Sequence, residues 1–337
     1  MNQTTKELLN LIHKSTSPYH TVAASRDLLL ANGFAELFLA EDWTLAPDGK
    51  YFVTCFDSSL FAFRTGKAGS RGLKIAAAHT DFPCFRLKPA AEVNTQGYGT
   101  LNVEGYGGMI VSTWMDRPLG IAGRVLLRKG SGIESRLLDL GGACTVIPNV
   151  AIHMNRNAND GMKYMANVDT IPLFSSDDPA AAILPMAAEA AGVSPENVLG
   201  SDLFLYCRGQ GVTLGAHNEY VLSPRLDDLA CAWGCLEGFL AARDTGALPV
   251  LCIFDNEEVG SATKQGAAST FLRDTLRRIS LALGQDEESF QTTLARSFLV
   301  SADNAHAIHP NHPEYSDGDN CPRMNGGVGI KFNANQR

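Results

Sequence analysis

No run of about 18 uninterrupted apolar residues occurs in this 337-residue chain, which excludes the ordinary membrane-spanning helix. A charged leader with an apolar core is missing too. Residues 1–7 pass directly into an amphipathic helical pattern, so the expected address is cytoplasmic. Basic runs and RNA-binding aromatic signatures are absent, and the net charge of −8 opposes polyanions. Neither nucleic acid nor a membrane is therefore an expected partner. The eight cysteines, at 55, 84, 144, 207, 231, 235, 252 and 321, include no Cys-x-x-Cys pair. Several sit inside apolar segments and read as buried free thiols, not as zinc knuckles or a disulfide framework. No internal repeat or low-complexity tract is visible. What remains is an ordinary globular composition, 45% hydrophobic and 19% charged, in a chain long enough for two domains.

Helical periodicity covers Thr5 to about Lys14 and His20 to Ala31, separated by the turn at Ser15–Pro18 and stopped by Gly33. Strand patterns follow at Lys50–Thr54, Leu60–Arg64 and Leu73–Ala78. Between about Ala91 and Tyr220 the texture changes to short β-rich runs broken by glycines, as in Gly105-Tyr106-Gly107-Gly108, with one Ala-rich helix at about Pro179–Ala191. Such a texture predicts a small barrel or sandwich inserted in an α/β parent. From Pro249 the α/β rhythm resumes, with a strand at 250–254, a helix at about 269–283 and a strand at 298–302. The expected division is a discontinuous domain of residues 1–90 plus 221–337 and an inserted β-rich domain of residues 91–220.

Chemistry concentrates where apolar strands end. Val250–Phe254 leads into Asp255-Asn256-Glu257-Glu258-Val259-Gly260, putting two adjacent carboxylates on irregular backbone where an open α/β sheet presents its ligands. Pointing in different directions, one acid can bind a cation while the other handles a proton from water. Taken alone, a Glu-Glu pair is usually solvated surface, but the same pattern recurs. Leu73–Ala78 ends in His79-Thr80-Asp81, and Phe298–Ala302 ends in Asp303. Asp227, in the loop Ser223–Asp228, opens a helical pattern reaching about Arg243. These four separated segments make a plausible metal cluster.

At these residues the sequence resembles the aspartyl aminopeptidase family, di-zinc enzymes that remove N-terminal residues from peptides. The likeness runs through Ser17-Pro18-Tyr19-His20, Ala78–Asp81, Thr113–Arg117, Ala122–Val125, Ile147–His153, Pro224–Asp228, Phe254–Gly260, Ser301–His306 and Asn333–Arg337. It implies a three-layer α/β/α peptidase domain with a mostly parallel central sheet, interrupted by a barrel-like insert. By the same resemblance His79 and Asp303 hold one metal and Glu258 the other, Asp227 bridges, and Glu257 is the general base. The family carries two Zn²⁺ per site, although oxygen and nitrogen ligands also accept Mn²⁺ or Co²⁺. Asp81 is then the acceptor that fixes the His79 tautomer. His153 would reach a neighbouring subunit's active site in a homododecamer; its other reading is a core or interface histidine. Lys331 would face the substrate's N-terminal side chain and favour Asp or Glu; its other reading is a solvated edge-strand lysine. His306 and His309 are expected to support the site or pack loops, not to ligate.

Relatives continue past the Asn333–Arg337 block into a segment with a Gly-Ser-Thr-type loop and a final histidine ligand. A truncated or partly ordered form of an active enzyme is the expectation, with a natural short form as the competitor. Two further readings stay open: a non-catalytic oligomeric shell that binds peptides or proteins, and another metallohydrolase, such as a deacylase, using the same His-x-Asp and Glu-Glu logic.

Overall fold

The computed structural model describes residues 2–66, 72–142, 144–176, 178, 181–243 and 246–332. The Asn333–Arg337 block and the start of the helix expected from Pro179 lie outside these residues. Helix α1 (Gln3–Lys14) begins where the Asn2 side chain accepts from the Thr5 N–H at 2.8 Å. Helix α2 (Pro18–Ala31) is capped by Ser17, with Pro18 in the first turn, where its missing N–H costs nothing. Strands β1 (Ala35–Leu37), β2 (Lys50–Cys55), β3 (Ser59–Arg64) and β4 (Leu73–His79) follow.

Next come the long strands β5 (Cys84–Thr95), β6 (Tyr98–Tyr106), β7 (Leu119–Lys129) and β8 (Gly132–Asp139). A short α3 (Ala166–Asp169), β9 (Leu173–Ser175), α4 (Ile183–Ala190) and β10 (Val198–Cys207) complete that region, and β11 (Val212–Leu214) pairs with β12 (Tyr220–Leu222). The last elements are α5 (Leu226–Ala241), β13 (Leu248–Phe254), α6 (Phe271–Ala282), α7 (Glu287–Ala295) and β14 (Phe298–Ser301).

The first six-stranded sheet runs β1-β2-β3-β13-β4-β14. Pairings β1/β2, β13/β4 and β4/β14 are parallel, whereas β3 is antiparallel to both of its neighbours. Side-chain alternation divides its central strands between two cores. Phe61, Phe63, Ile75, Val250 and Cys252 pack with Phe271, Leu276 and Ile279 of α6 and Phe290 of α7. Leu60, Ala62, Ala78, Leu251 and Ile253 pack with Val22 and Leu29 of α2 and Ala232, Leu236 and Phe239 of α5. Burial on both faces is why these strands read as unbroken apolar runs, and it yields the expected three-layer α/β/α arrangement. Each fully buried Leu or Phe contributes about 1.5–3 kcal/mol of transfer free energy.

The second six-stranded sheet is antiparallel, in the order β8-β7-β10-β5-β6-β9. Residues 145–147 close it into a barrel. Thr145 exchanges backbone hydrogen bonds with Leu119 at the start of β7, and Val146 does the same with Leu173 in β9. Leu101, Leu119, Ile121, Val125, Ile147, Leu203 and Leu205 fill its interior. This sheet takes its first strand from Cys84, ahead of the expected boundary at 91, because only residues 80–83 separate β4 from β5. Among the described residues no helix is long and apolar enough to cross a membrane.

Candidate active site

Strands β13, β4 and β14 lie side by side and parallel, so their carboxyl ends emerge together at one edge of the sheet. His79 closes β4, Asp255–Glu258 follow β13, and Asp303 follows β14. Asp227 and Asp228, joined by a cis peptide, start α5. Ligand-type atoms of His79, Asp227, Asp228 and Asp303 all lie within 4.8 Å of one another.

Asp81 organises this edge. Fully buried, its carboxylate accepts from the Tyr106 hydroxyl at 2.8 Å and from the backbone N–H groups of Glu257 and Glu258 at 3.2 and 3.1 Å. His79 Nδ1 lies 3.0 Å from the Asp81 carbonyl oxygen and 3.3 Å from its carboxylate. Both partners are acceptors only, so in the neutral imidazole Nδ1 carries the proton and Nε2 keeps its lone pair. Nε2 faces Asp227 and Asp228 at 3.8 Å and Glu257 at 3.9 Å. One imidazole nitrogen presented among carboxylates suits a borderline cation such as Zn²⁺ and equally Mn²⁺ or Co²⁺.

The electrostatics fit that reading. Burial lifts Asp228 to about 7 against the pull of His79. Glu258 also reaches about 7, through burial and then the field of Asp81. Asp227 is raised by burial and by Asp303. His79 runs the other way: burial lowers it, but the Asp81 hydrogen bond and the charges of Asp228, Asp81 and Glu257 outweigh burial and bring it to about 9. Several carboxylates crowded in one place need a cation, either a proton or a metal.

Two turns hold the acids in place. Arg225, at φ 61°, precedes the Asp227-Asp228 turn and donates to the Cys207 and Ile12 carbonyl oxygens at 3.1 Å each. Asn256, at φ 63°, donates from its amide to the Tyr106 oxygen at 2.8 Å and accepts from Thr263 at 2.7 Å. Glu258 packs against Gly107, whose φ is 74°; a Cβ there would lie 2.6 Å from Glu258 Oε2.

With this geometry in view, the comparison that decides the family is a family model described as aminopeptidase I zinc metalloprotease (M18), which matches residues 11–337. The chain belongs to the M18 family. Its members are metallo-exopeptidases, and the chain is an aminopeptidase of that class. The probable M18 family aminopeptidase 2 of Clostridium acetobutylicum is 44% identical over 344 residues, covering 98% of this chain and 79% of the relative. Its namesake in Pseudomonas fluorescens SBW25 is 38% identical, over 98% and 78%. Among solved structures, that of the Ape4 and Nbr1 complex superposes with a TM-score of 0.94 at 33% identity, over 99% of this chain and 69% of that one. The S. cerevisiae mApe1 dodecamer gives 0.82 at 28%, over 95% and 76%.

In this M18 chain His79, Asp227 and Asp303, expected as ligands, converge, and Asp228, next to Asp227 in the sequence, joins them. Glu258 lies outside that four-residue group, at the Asp81 and Gly107 side. Glu257 sits at its rim, its side chain 50% exposed. His153 is exposed in a turn, and Lys331 is exposed on irregular backbone, not on an edge strand. Neither His306 nor His309 belongs to the group. Tyr106, Asn256 and Asp228 escaped sequence reading. The glycines around Tyr106 were a visible signal, but the contacts it makes span 25 and 150 positions.

Proposed function

We propose that the chain hydrolyses the N-terminal residue from peptides through a two-metal site, His79, Asp227, Glu258 and Asp303 holding the ions and Asp228 supporting them. The observation that carries this reading is the convergence of His79, Asp227, Asp228 and Asp303 within 4.8 Å, with Glu257 3.9 Å from the imidazole. Two Zn²⁺ are the proposed ions, with Mn²⁺ or Co²⁺ as substitutes. When bound, they supply Lewis-acid polarisation of the scissile carbonyl and acidify water.

The chain's own residues do the rest. Glu257, partly solvated and at the cluster's rim, takes the proton of the attacking water and delivers it to the leaving amine. Asp81 keeps the proton on His79 Nδ1 and ties down the Glu257-Glu258 backbone. The cluster's negative charge suits the substrate's terminal ammonium. Lys331 is proposed to meet an acidic first side chain. Self-association into a dodecamer, as named for mApe1, would bring His153 to a neighbour's site, with residues 91–220 as the inserted oligomerisation domain. The proposed location is cytoplasmic.

Glu257→Gln tests the assignment. Peptide turnover should drop by about 10²–10⁴-fold while metal content, read by elemental analysis, stays at the wild-type level. Retained turnover would remove Glu257 from the chemistry.

A further inference from the structure

A cavity of about 450 Å³ opens beside the cluster and meets it through Asp227. Resting on the aminopeptidase reading, we infer that this cavity receives the leaving side of the substrate: a bulky apolar second residue whose own carboxylate, in a dipeptide, pairs with Arg117.

The lining sets the chemistry. Phe82, Met109, Ile110, Trp114 and Tyr206 form apolar walls. Trp114 is locked edge-on against Phe85, with centroids 5.2 Å apart and an interplanar angle of 86°. Arg225 lies 5.5 Å from the Phe82 ring and 5.6 Å from the Tyr206 ring, and its terminal nitrogens are already committed to backbone carbonyls. It stiffens the wall and leaves the ligand's charge to another group. Arg117 is exposed, lines the cavity and forms no ion pair with a described residue. The neighbouring Asp116 is engaged by the Asn149 backbone and side-chain N–H groups at 2.9 and 2.8 Å.

An ammonium belongs at the acidic cluster, not in an apolar cavity with a cation on its wall. A ligand matching both parts has its amine at the cluster, an apolar body in the cavity and an anionic end at Arg117. The volume falls within the roughly 300–1,000 Å³ of sites for small organic ligands, more than one acidic side chain needs. The substrate class is therefore dipeptides and short peptides with Phe- or Leu-like second residues.

The test keeps the first residue constant and varies the second. Wild-type holoenzyme should cleave Leu-Phe faster than Leu-Phe-amide and faster than Leu-Gly. Arg117→Gln should reduce the acid-to-amide ratio of kcat/KM by about tenfold, the size of one charge-assisted hydrogen bond. Ile110→Ser, at a side chain 71% exposed and so outside the core, should lower the Phe-to-Gly ratio. Calorimetry supplies a reading independent of turnover: N-acetyl-phenylalanine should bind more tightly than its amide to wild type but not to Arg117→Gln. Ratios unchanged within twofold overturn the inference. A shifted Glu-to-Leu preference of Arg117→Gln on anilide substrates, which have no second residue, overturns it as well by moving Arg117 to the first side chain. Acid-over-amide binding in a protein that cleaves no N-terminal residue would sustain the cavity's specificity and refute the proposed activity.

Discussion

Replacing Asp81 with Asn separates the charge of this residue from its shape. One carboxylate oxygen accepts from Glu257 N–H at 3.2 Å and faces His79 Nδ1 at 3.3 Å; the other accepts from Tyr106 at 2.8 Å and Glu258 N–H at 3.1 Å. Whichever way the Asn amide turns, its NH₂ meets one of those two backbone donors. One part-buried N–H therefore loses its acceptor, at about 1 kcal/mol, the low end for an unsatisfied donor. The His79 tautomer survives, because Nδ1 still donates to the Asp81 carbonyl oxygen at 3.0 Å. Metal affinity should accordingly weaken by about tenfold, the low end of the 10–100-fold typical for such supporting partners. Competition against a fluorescent zinc chelator gives the affinity, and a thermal melt with EDTA gives the stability of the metal-free protein. Wild-type affinity combined with a lowered Tm would refute the reasoning, by making Asp81 a structural acceptor only.

With EDTA, stability should fall as pH rises from about 4 to 9. Folding lifts Asp228 from 3.8 to about 7, Glu258 from 4.5 to about 7 and His79 from 6.5 to about 9. The folded state thus binds more protons than the unfolded state, and the slope against pH is negative. The acids act up to about 7, and the His79 contribution is lost through about 9. The Tm increment from added zinc should grow over the same range, since metal competes with those protons; an EDTA melt that is flat or rises with pH contradicts this. Gly107→Ala should cut activity by displacing Glu258 and straining a left-handed residue, yet leave the barrel folded by circular dichroism; full activity would show that Glu258 has room to move. Asp202→Ala strips the acceptor from Tyr19, Arg86 and Arg124, which donate to it at 3.1, 2.8 and 3.1 Å. A loss of about 2–4 kcal/mol in urea denaturation is expected, and a change below 1 kcal/mol would mean those donors find other partners.

The sequence exposes elements in proportion to their burial. β4 and β13 are buried on both faces and appear as apolar runs with sound boundaries. Helix α7 buries only Phe290, and β1 has three residues and no fully buried side chain, so neither has a pattern to detect. His79 and Asp303, two members of the converging group, were legible because each follows an apolar strand. The choice between Asp227 and Asp228 was not, because adjacent identical residues differ only in what approaches them; Asp228 is the buried one, accepting from the His79 backbone N–H at 3.1 Å. The start of β5 at Cys84 was hidden for a different reason: only residues 80–83 separate it from β4, so the change of sheet falls within a short stretch that carries the His79-Thr80-Asp81 signal.

Tyr106 and Gly107 come from the antiparallel module, yet one grips Asp81 and the other makes room for Glu258. The two halves of the molecule are therefore not interchangeable parts. A chimera that borrows its barrel from elsewhere must bring a phenol followed by a bare backbone position to this same corner, or the hydrolytic half inherits a misaligned set of acids.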